Sequence, residues 1–292
     1  MSLRLEMLQV ARLAPKELGD SAALVHAFYQ SQQNPDGGFK DRSGRSDLYY
    51  TVFGLEGLLA LQAEFDHNKV RSYLGTFGSG ENLDFIHLCC LARCWAAINE
   101  QPAQANQLLA AIENFRTPDG GFTVTLGAKT GTAYACFLGY AAWQDLHAQL
   151  PDPMRLVQSL KFLETSDGAW ANERGVTVGS TNPTAATVNL LNNLKLPLHQ
   201  EVATWLRARE HSDGGFTASP VTRMPDLLST ATALHALAAL EAPLGSAKDR
   251  CLDFVDSLWT NEGGFYGHWG DTMVDGEYTY YGLLALGHLS LS

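Results

Sequence analysis

A short glycine-rich turn recurs along the chain, and this repeat limits the possible folds more than any other feature. "DGGF" begins at Asp36, Asp119 and Asp213, "DGAW" begins at Asp167, and "EGGF" begins at Glu262. The first two copies lie 83 residues apart and the later ones 46 to 49, so a degenerate copy is expected in the long gap. The stretch "FGSGENLDFIHLCCL", from Phe77 to Leu91, occupies that place. The sequence therefore predicts six units, with Gly-rich turns near positions 36, 77, 119, 167, 213 and 262, as in arrays of supersecondary units.

Each unit contains the pattern of two helices. A segment rich in Ala, Gly and Thr follows the turn, as in "STATALHALAAL" and "YTYYGLLALGHL", and a more polar helix follows it, as in "PAQANQLLAAIENF". Twelve helices could stack as an open solenoid or close into a ring. A helix that is apolar on every side is buried on every side, which favours a closed ring. We predict one all-α domain over residues 1–292, with six inner helices around an apolar cavity and their N-termini at one rim.

Composition and charge exclude several classes of partner. Hydrophobic residues make up 46% of the 292 residues, and the net charge is −11 without any basic cluster, so we expect no nucleic-acid partner. No run of 18 apolar residues is present, so we expect no membrane span. The first twenty residues resemble an amphipathic helix rather than a signal peptide. Five cysteines, an odd number, indicate free thiols in a reducing compartment, and we expect a cytoplasmic protein.

Alignment of the inner helices places chemically useful residues in columns. The helix-start position holds Asp47, Asp84, Asp226 and Asp275 in four units, and Ala128 and Asn182 in the other two. Aspartate is a preferred N-cap, which is one interpretation of this column. The other is an acidic arc at one mouth of the ring, completed by Glu277, which could hold Mg²⁺ or a cationic group.

Aromatic side chains occupy the columns three and six positions further on. They are Tyr50, Phe53, Tyr134, Tyr278 and Tyr281, with His87 in the same set. Their rings could line an apolar pocket and stabilise a cationic group, or they could pack in the core. The glycines Gly54 and Gly282 are expected to form part of the cavity floor.

Two motifs carry a resemblance to a known superfamily. "QSQQNPDGGF" is similar to the QW-type motif of triterpene cyclases, and "MVDGEYTYYGLLAL" is similar to the last repeat of protein prenyltransferase β subunits. The chain resembles the prenyltransferase and squalene-oxidase repeat superfamily over residues 20 to 290, and most closely the β subunit that modifies Rab GTPases. The resemblance implies an α6/α6 toroid, a double-layered ring of six helical hairpins, and an isoprenoid substrate. Family β subunits work with a separate α subunit, and no residue pattern in this chain indicates one.

The resemblance does not extend to the catalytic centres of the family. The family zinc is held by Asp, Cys and His, which correspond here to Asp226, Leu228 and Tyr278, so we expect no zinc. The family diphosphate pocket retains one cation, Arg223. The DxDD acid motif of class II terpene cyclases is absent, and the second barrel domain usual in those enzymes would not fit in 292 residues.

These observations leave two classes of function. The first is a prenyltransferase-like enzyme, of transferase or cyclase type, that acts on an isoprenoid without the family zinc. Its candidate catalytic residues are Asp226, Asp275, Glu277 and Tyr278, and its candidate substrate-binding residues are Arg223, Tyr50, Phe53, His87, Tyr134 and Tyr281. The second is a toroid that binds a lipid or a protein partner without chemistry.

Overall fold

The computed structural model describes residues 1–291, and that part of the chain forms fourteen α-helices. In chain order they are α1 (Leu3–Ala11), α2 (Pro15–Leu18), α3 (Ala22–Gln32), α4 (Leu48–Ala60), α5 (His67–Gly75), α6 (Phe85–Ala97), α7 (Ala105–Glu113), α8 (Ala133–Asp145), α9 (Pro153–Lys161), α10 (Thr181–Asn193), α11 (Glu201–Arg207), α12 (Leu227–Ala239), α13 (Ala247–Ser257) and α14 (Gly276–Leu289). The six apolar segments form the even-numbered helices from α4 to α14. None of the described helices is long and apolar enough to cross a membrane.

The inner helices close into a ring. Each even-numbered helix from α4 to α14 packs against the next one, and α14 packs against α4. Side chains reinforce this closure, because the Tyr29 hydroxyl donates to the Gly276 carbonyl at 3.0 Å. The odd-numbered helices from α3 to α13 precede the turns and form the outer layer. The predicted all-α toroid is confirmed.

Five of the six turns are attached to their inner helix by the same kind of hydrogen bond. The backbone N–H of the turn aromatic donates to a threonine hydroxyl in the first turn of the inner helix, for example from Phe39 to Thr51 at 2.9 Å. The equivalent acceptors are Thr184, Thr230 and Thr279, and Cys136 accepts through its sulfur in the third unit. The repeat therefore encodes a joint between turn and helix.

The turn aromatics also explain the small residues on the inner helices. A Cβ at Gly54 would lie 2.1 Å from the Phe39 ring, and one at Gly282 would lie 2.7 Å from the Phe265 ring. The prediction that these two glycines form the cavity floor is wrong, since each accommodates the aromatic of its own turn. Gly37 has a different reason, with a φ of 101° and a neighbouring carbonyl that leaves no room for a side chain.

Four of the helix starts are where the sequence places them. Asp47, Asp84, Asp226 and Asp275 each accept a hydrogen bond from a backbone N–H in the first turn of their helix, as N-caps do. The other two starts are wrong, because α8 follows Thr132 and α10 follows Ser180 rather than Ala128 and Asn182. No aspartate marks the end of the loop in these two units.

Two short hairpins lead into α4 and α12. Strand β1 (Phe39–Lys40) pairs antiparallel with β2 (Ser46–Asp47), and β3 (Phe216–Thr217) pairs with β4 (Pro225–Asp226). In each hairpin the turn aromatic lies opposite the aspartate that caps the inner helix. The hairpins thus fix where two of the inner helices begin.

The N-terminal helix α1 closes one end of the ring. It packs against α4, α8, α10 and α14. The Leu3 N–H donates to the Gln144 side chain in the last turn of α8, at 3.0 Å. The Arg4 guanidinium donates to the fully buried Glu56 carboxylate at 2.5 Å. Since these contacts lie in the C-terminal halves of the inner helices, the cavity is left open at the other end, where the inner helices start.

Candidate functional site

A cavity of about 790 Å³ lies inside the ring. Its wall is mostly apolar, with polar groups near the helix starts and one methionine, Met7, from α1. The lining residues are Met7, Asp41, Asp47, Tyr49, Tyr50, Ile86, His87, Tyr134, Phe137, Asn172, Asn182, Pro183, Ala185, Ala186, Asn189, Leu228, Thr232, His235, Glu277, Tyr281 and Leu284. An apolar pocket with a few converging polar groups is typical of a small-molecule site.

The second residue of every inner helix lines this cavity. These residues are Tyr49, Ile86, Tyr134, Asn182, Leu228 and Glu277. The sequence alignment ranked columns three, four, six and seven positions after the start, so it missed this one and Tyr49 with it. The sequence does indicate this column in the four units whose inner helix begins with a capping aspartate, because the lining residue lies two positions after that aspartate.

Glu277 is a carboxyl group in the cavity wall with a raised pKa. The Tyr49 hydroxyl donates to its Oε1 at 2.6 Å across the α14–α4 junction. Burial raises the pKa of Glu277 to about 7, the Asp275 charge adds to this, and the Tyr49 hydrogen bond and Arg42 oppose it. A carboxyl with this pKa keeps its proton in a large part of the molecules at neutral pH. Glu277 is therefore present at neutral pH in both its protonated and its ionised form, beside the Tyr49 hydroxyl in the cavity wall.

His87 links two of the capping aspartates at the mouth. Its Nδ1 lies 2.9 Å from Asp84 and its Nε2 lies 3.2 Å from Asp47. Burial opposes the charged ring, but the hydrogen bonds and charges of the two carboxylates outweigh it and raise the pKa of His87. When protonated, His87 balances part of the negative charge at the mouth.

Arg42 binds the aspartate of the last unit. Its Nε donates to Asp275 at 2.7 Å and its terminal nitrogen donates to Asp271 at 3.0 Å. The guanidinium also lies over the Tyr278 ring, 5.7 Å from the centroid. The acidic arc is thus not continuous: Asp47 and Asp84 contact His87, whereas Asp275 contacts Arg42. Over residues 1–291 no group of three or more His, Cys, Asp or Glu side chains is placed to hold a metal ion.

The residues at the family zinc positions do not fit a zinc ion. Leu228 offers no donor atom and lines the cavity. Asp226 accepts both the backbone N–H and the hydroxyl of Ser229 at 2.7 Å, and burial raises its pKa. The Tyr278 ring packs against Gly267, where a Cβ would lie 2.5 Å from it.

The structure brings five of the candidate site residues to the cavity wall. They are Tyr50, His87, Tyr134, Tyr281 and Glu277. Phe53 is buried behind them, with its ring centroid 5.6 Å from that of Tyr281 and 5.1 Å from that of Tyr49. Arg223 is exposed on the loop between β3 and β4, away from the lining. The roles assigned to these residues, and to Asp226, Asp275 and Tyr278, stay predictions.

A pair of buried histidines was missed by the sequence analysis. His235 Nδ1 lies 2.9 Å from His288 Nε2, and His235 also lines the cavity. Burial lowers the pKa of His235 to about 4 and holds that of His288 well below its usual value. Both rings are therefore neutral at pH 7, so this pair adds hydrogen-bonding groups rather than charge.

Comparison with known proteins now places the chain in a family. The sequence profile of the prenyltransferase alpha-alpha toroid domain matches residues 4–78 and 184–290. The chain belongs to this family. A comparison with curated proteins gave no match.

Several solved structures share the toroid. A variant of the type II terpene cyclase MstE from Scytonema, in complex with geranylgeranyl dihydroxybenzoate, superposes with a TM-score of 0.62 at 16% identity, over 95% of this chain and 97% of that chain. Apo MstE gives a TM-score of 0.65 at 14% identity, over 94% and 98% of the two chains. A protein from Actinoplanes gives 0.65 at 15% identity, over 94% and 99%.

These coverages correct one expectation from the sequence. The present chain aligns with 98% of the MstE chain, so a type II terpene cyclase can consist of a single toroid. The lack of room for a second barrel domain is therefore no argument against a cyclase.

Proposed function

We propose that this protein is a zinc-independent enzyme that converts a linear isoprenoid by proton-initiated carbocation chemistry, with Glu277 as the proton donor. The observation that carries the proposal is the Glu277 carboxyl at the wall of an apolar cavity. Burial raises its pKa to about 7, and the Tyr49 hydroxyl donates a hydrogen bond to it. The volume of about 790 Å³ falls in the range of about 300–1,000 Å³ that is typical of ligand pockets.

The charges around the cavity favour a cyclase over a prenyl transferase. A transferase must hold a diphosphate as it leaves, which proteins do with Arg, Lys or a metal ion. Among the described residues that line the cavity none is a lysine or arginine, whereas Asp41, Asp47 and Glu277 are acidic. The N-termini of four inner helices are already occupied by aspartate caps, which offset their attraction for an anion.

The proposed reaction needs no oxidant or second substrate. The Glu277 O–H gives its proton to one carbon of an alkene, and its electron pair stays on the carboxylate. The π electrons of the alkene form the new C–H bond, so the other alkene carbon becomes a tertiary cation. A neighbouring alkene attacks that cation and closes a ring, and loss of a proton from carbon to the Glu277 carboxylate ends the reaction. Four tyrosines line the wall, and an aromatic ring there can stabilise the cation; they are Tyr49, Tyr50, Tyr134 and Tyr281.

The fold comparison supports the class of substrate. MstE, which has the same toroid, is a type II terpene cyclase, and its structure holds a geranylgeranyl compound. At 14–16% identity the likeness shows the fold, so the reaction assigned here rests on the cavity of this chain.

Product analysis with two substrates tests the proposal. Purified protein is incubated with geranylgeraniol or with geranylgeranyl diphosphate, and products are identified by mass spectrometry. We expect a cyclic isomer of the alcohol, and at least about a hundredfold lower rate for Glu277→Gln, the scale of a lost general acid. Glu164→Gln, at an exposed site, serves as the control. Release of diphosphate from geranylgeranyl diphosphate, at a rate unaffected by Glu277→Gln, would refute the proposal.

A lipid-binding toroid without chemistry is the second candidate. It is favoured by the capping aspartates, which are engaged with backbone N–H groups, Arg42 or His87. This candidate predicts that wild-type protein and Glu277→Gln bind geranylgeraniol with equal affinity and that neither converts it.

A further inference from the structure

Exposed apolar side chains are concentrated on four loops of the ring. Fifteen large hydrophobic residues among those described are strongly exposed, and eight of them lie on the loops 123–131, 171–179, 218–224 and 266–274. We call these the rim loops. The first two carry Val124, Leu126, Val176 and Val178, and the other two carry Val221, Met224, Trp269 and Met273.

The rim loops border the open mouth of the cavity. Each leads into an inner helix, and three of them also bind the start of the preceding inner helix. The bonds run from the Ala133 N–H to the Asn172 carbonyl at 3.2 Å, from Thr181 to Ala218 at 2.8 Å, and from Leu227 to Gly267 at 2.8 Å. Since α1 packs across the other end, an apolar substrate has to pass this rim.

Cations are interleaved with the apolar tips. Lys129, Arg174 and Arg223 are exposed on three successive rim loops. The loops 123–131 and 218–224 contain no acidic residue, although the whole chain has a net charge of −11, and the loop 171–179 has one, the exposed Glu173 beside Arg174. The acidic Asp271 of the last rim loop is paired with Arg42. Apolar side chains flanked by Lys and Arg are typical of segments that bind the surface of an anionic bilayer.

We propose that the rim loops dock the protein on an anionic lipid bilayer, so that the mouth of the cavity faces the membrane. The choice of a bilayer rests in part on the proposed isoprenoid substrate, which partitions into lipid. Apolar tips on four separate loops, with cations between them, can each enter the headgroup region. In the same region a tryptophan such as Trp269, which is 43% exposed, is a favoured anchor.

Vesicle co-sedimentation tests this without any turnover. We expect the wild-type protein to sediment with phosphatidylcholine vesicles containing phosphatidylglycerol, more than with phosphatidylcholine alone. Leu126→Ser/Val221→Ser changes the tips exposed by 64% and 82%, and should weaken binding at least about tenfold. Leu24→Ser/Met154→Ser, at sites exposed by 44% and 50% in the first turns of outer helices, is the matched control and should bind like wild type.

Two further measurements separate this proposal from its alternatives. Glu277→Gln should bind vesicles like wild type, so failure of the proposed chemistry would leave the docking result intact. Equal vesicle binding by the rim variant and the wild type would overturn the proposal. So would a wild-type dimer in size-exclusion chromatography that Leu126→Ser/Val221→Ser converts to a monomer, because the rim would then bind a second copy.

Discussion

At the scale of single residues, the account depends on the ionisation of Glu277. Its pKa is raised to about 7, mainly by burial, so the proton that initiates the reaction is lost as pH rises through that value. We expect turnover of the isoprenoid to fall by about tenfold per pH unit above about pH 7. A rate that rises above pH 7 would show that an ionised base, rather than a protonated acid, limits the reaction.

The same titration affects stability. A raised folded-state pKa means that the native protein binds the Glu277 proton more tightly than the unfolded chain does. Its contribution to the free energy of unfolding is therefore complete at low pH and is lost as pH rises from about 4.5 to 7 and beyond. Glu277→Gln cannot ionise, and urea unfolding at several pH values should show a smaller decline for this variant than for wild type.

Tyr49 tunes this carboxyl. Its hydroxyl donates to Glu277 and lowers the pKa of the acid relative to burial alone. Tyr49→Phe should therefore move the alkaline limb of the rate profile to higher pH, with the fold retained. Tyr140→Phe removes a hydroxyl that bonds Asn193 elsewhere and should leave the limb in place. A limb that moves to lower pH in Tyr49→Phe would contradict this role.

At the scale of helices and turns, the hydrogen bond from the N–H of the turn aromatic to a threonine hydroxyl recurs in four of the six units. The Thr230 hydroxyl is fully buried and accepts the Phe216 N–H. Thr230→Val has nearly the same shape but leaves that N–H without a partner, so the free energy of unfolding should fall by about 1–3 kcal/mol. Thr222→Val, at an exposed loop position, should change it little. Chemical denaturation measures both.

Cys136 provides the complementary test. It occupies the threonine position in the third unit and accepts the Phe122 N–H through sulfur at 3.3 Å. Cys136→Thr should retain or raise stability, because an oxygen is the better acceptor, whereas Cys136→Ala should lower it. Greater loss of stability for Thr than for Ala would show that packing, not the hydrogen bond, determines this position.

The features shared by the units explain why the helices were easier to predict than the residues at which they start. Glycine, the aromatic and the apolar segment identify each unit, because all three are required by local geometry. The first residue of α8 or α10 depends on loops that vary in length and lack a capping aspartate, so the alignment misplaced Ala128 and Asn182. The omission of Tyr49 has no such cause, because the start of its helix at Asp47 lies where the sequence places it.

At the scale of the whole molecule, ring closure brings the chemistry together. Glu277 in the last unit meets Tyr49 in the first, and Arg42 reaches Asp275 across the same junction. The sequence predicts the ring and most of its aromatic wall. It could not predict the balance of charges, because the partners are separated by more than two hundred residues and only closure brings them into contact.

Deuterium incorporation tests the central claim most directly. Wild-type protein equilibrated in D₂O should convert unlabelled geranylgeraniol into a cyclic product one mass unit heavier, because the exchangeable acid proton of Glu277 becomes bound to carbon. Mass spectrometry should find one deuterium at the first-protonated carbon, and no such product from Glu277→Gln. A product that carries no deuterium, or an equally labelled product from the variant, would contradict Glu277 as the proton donor.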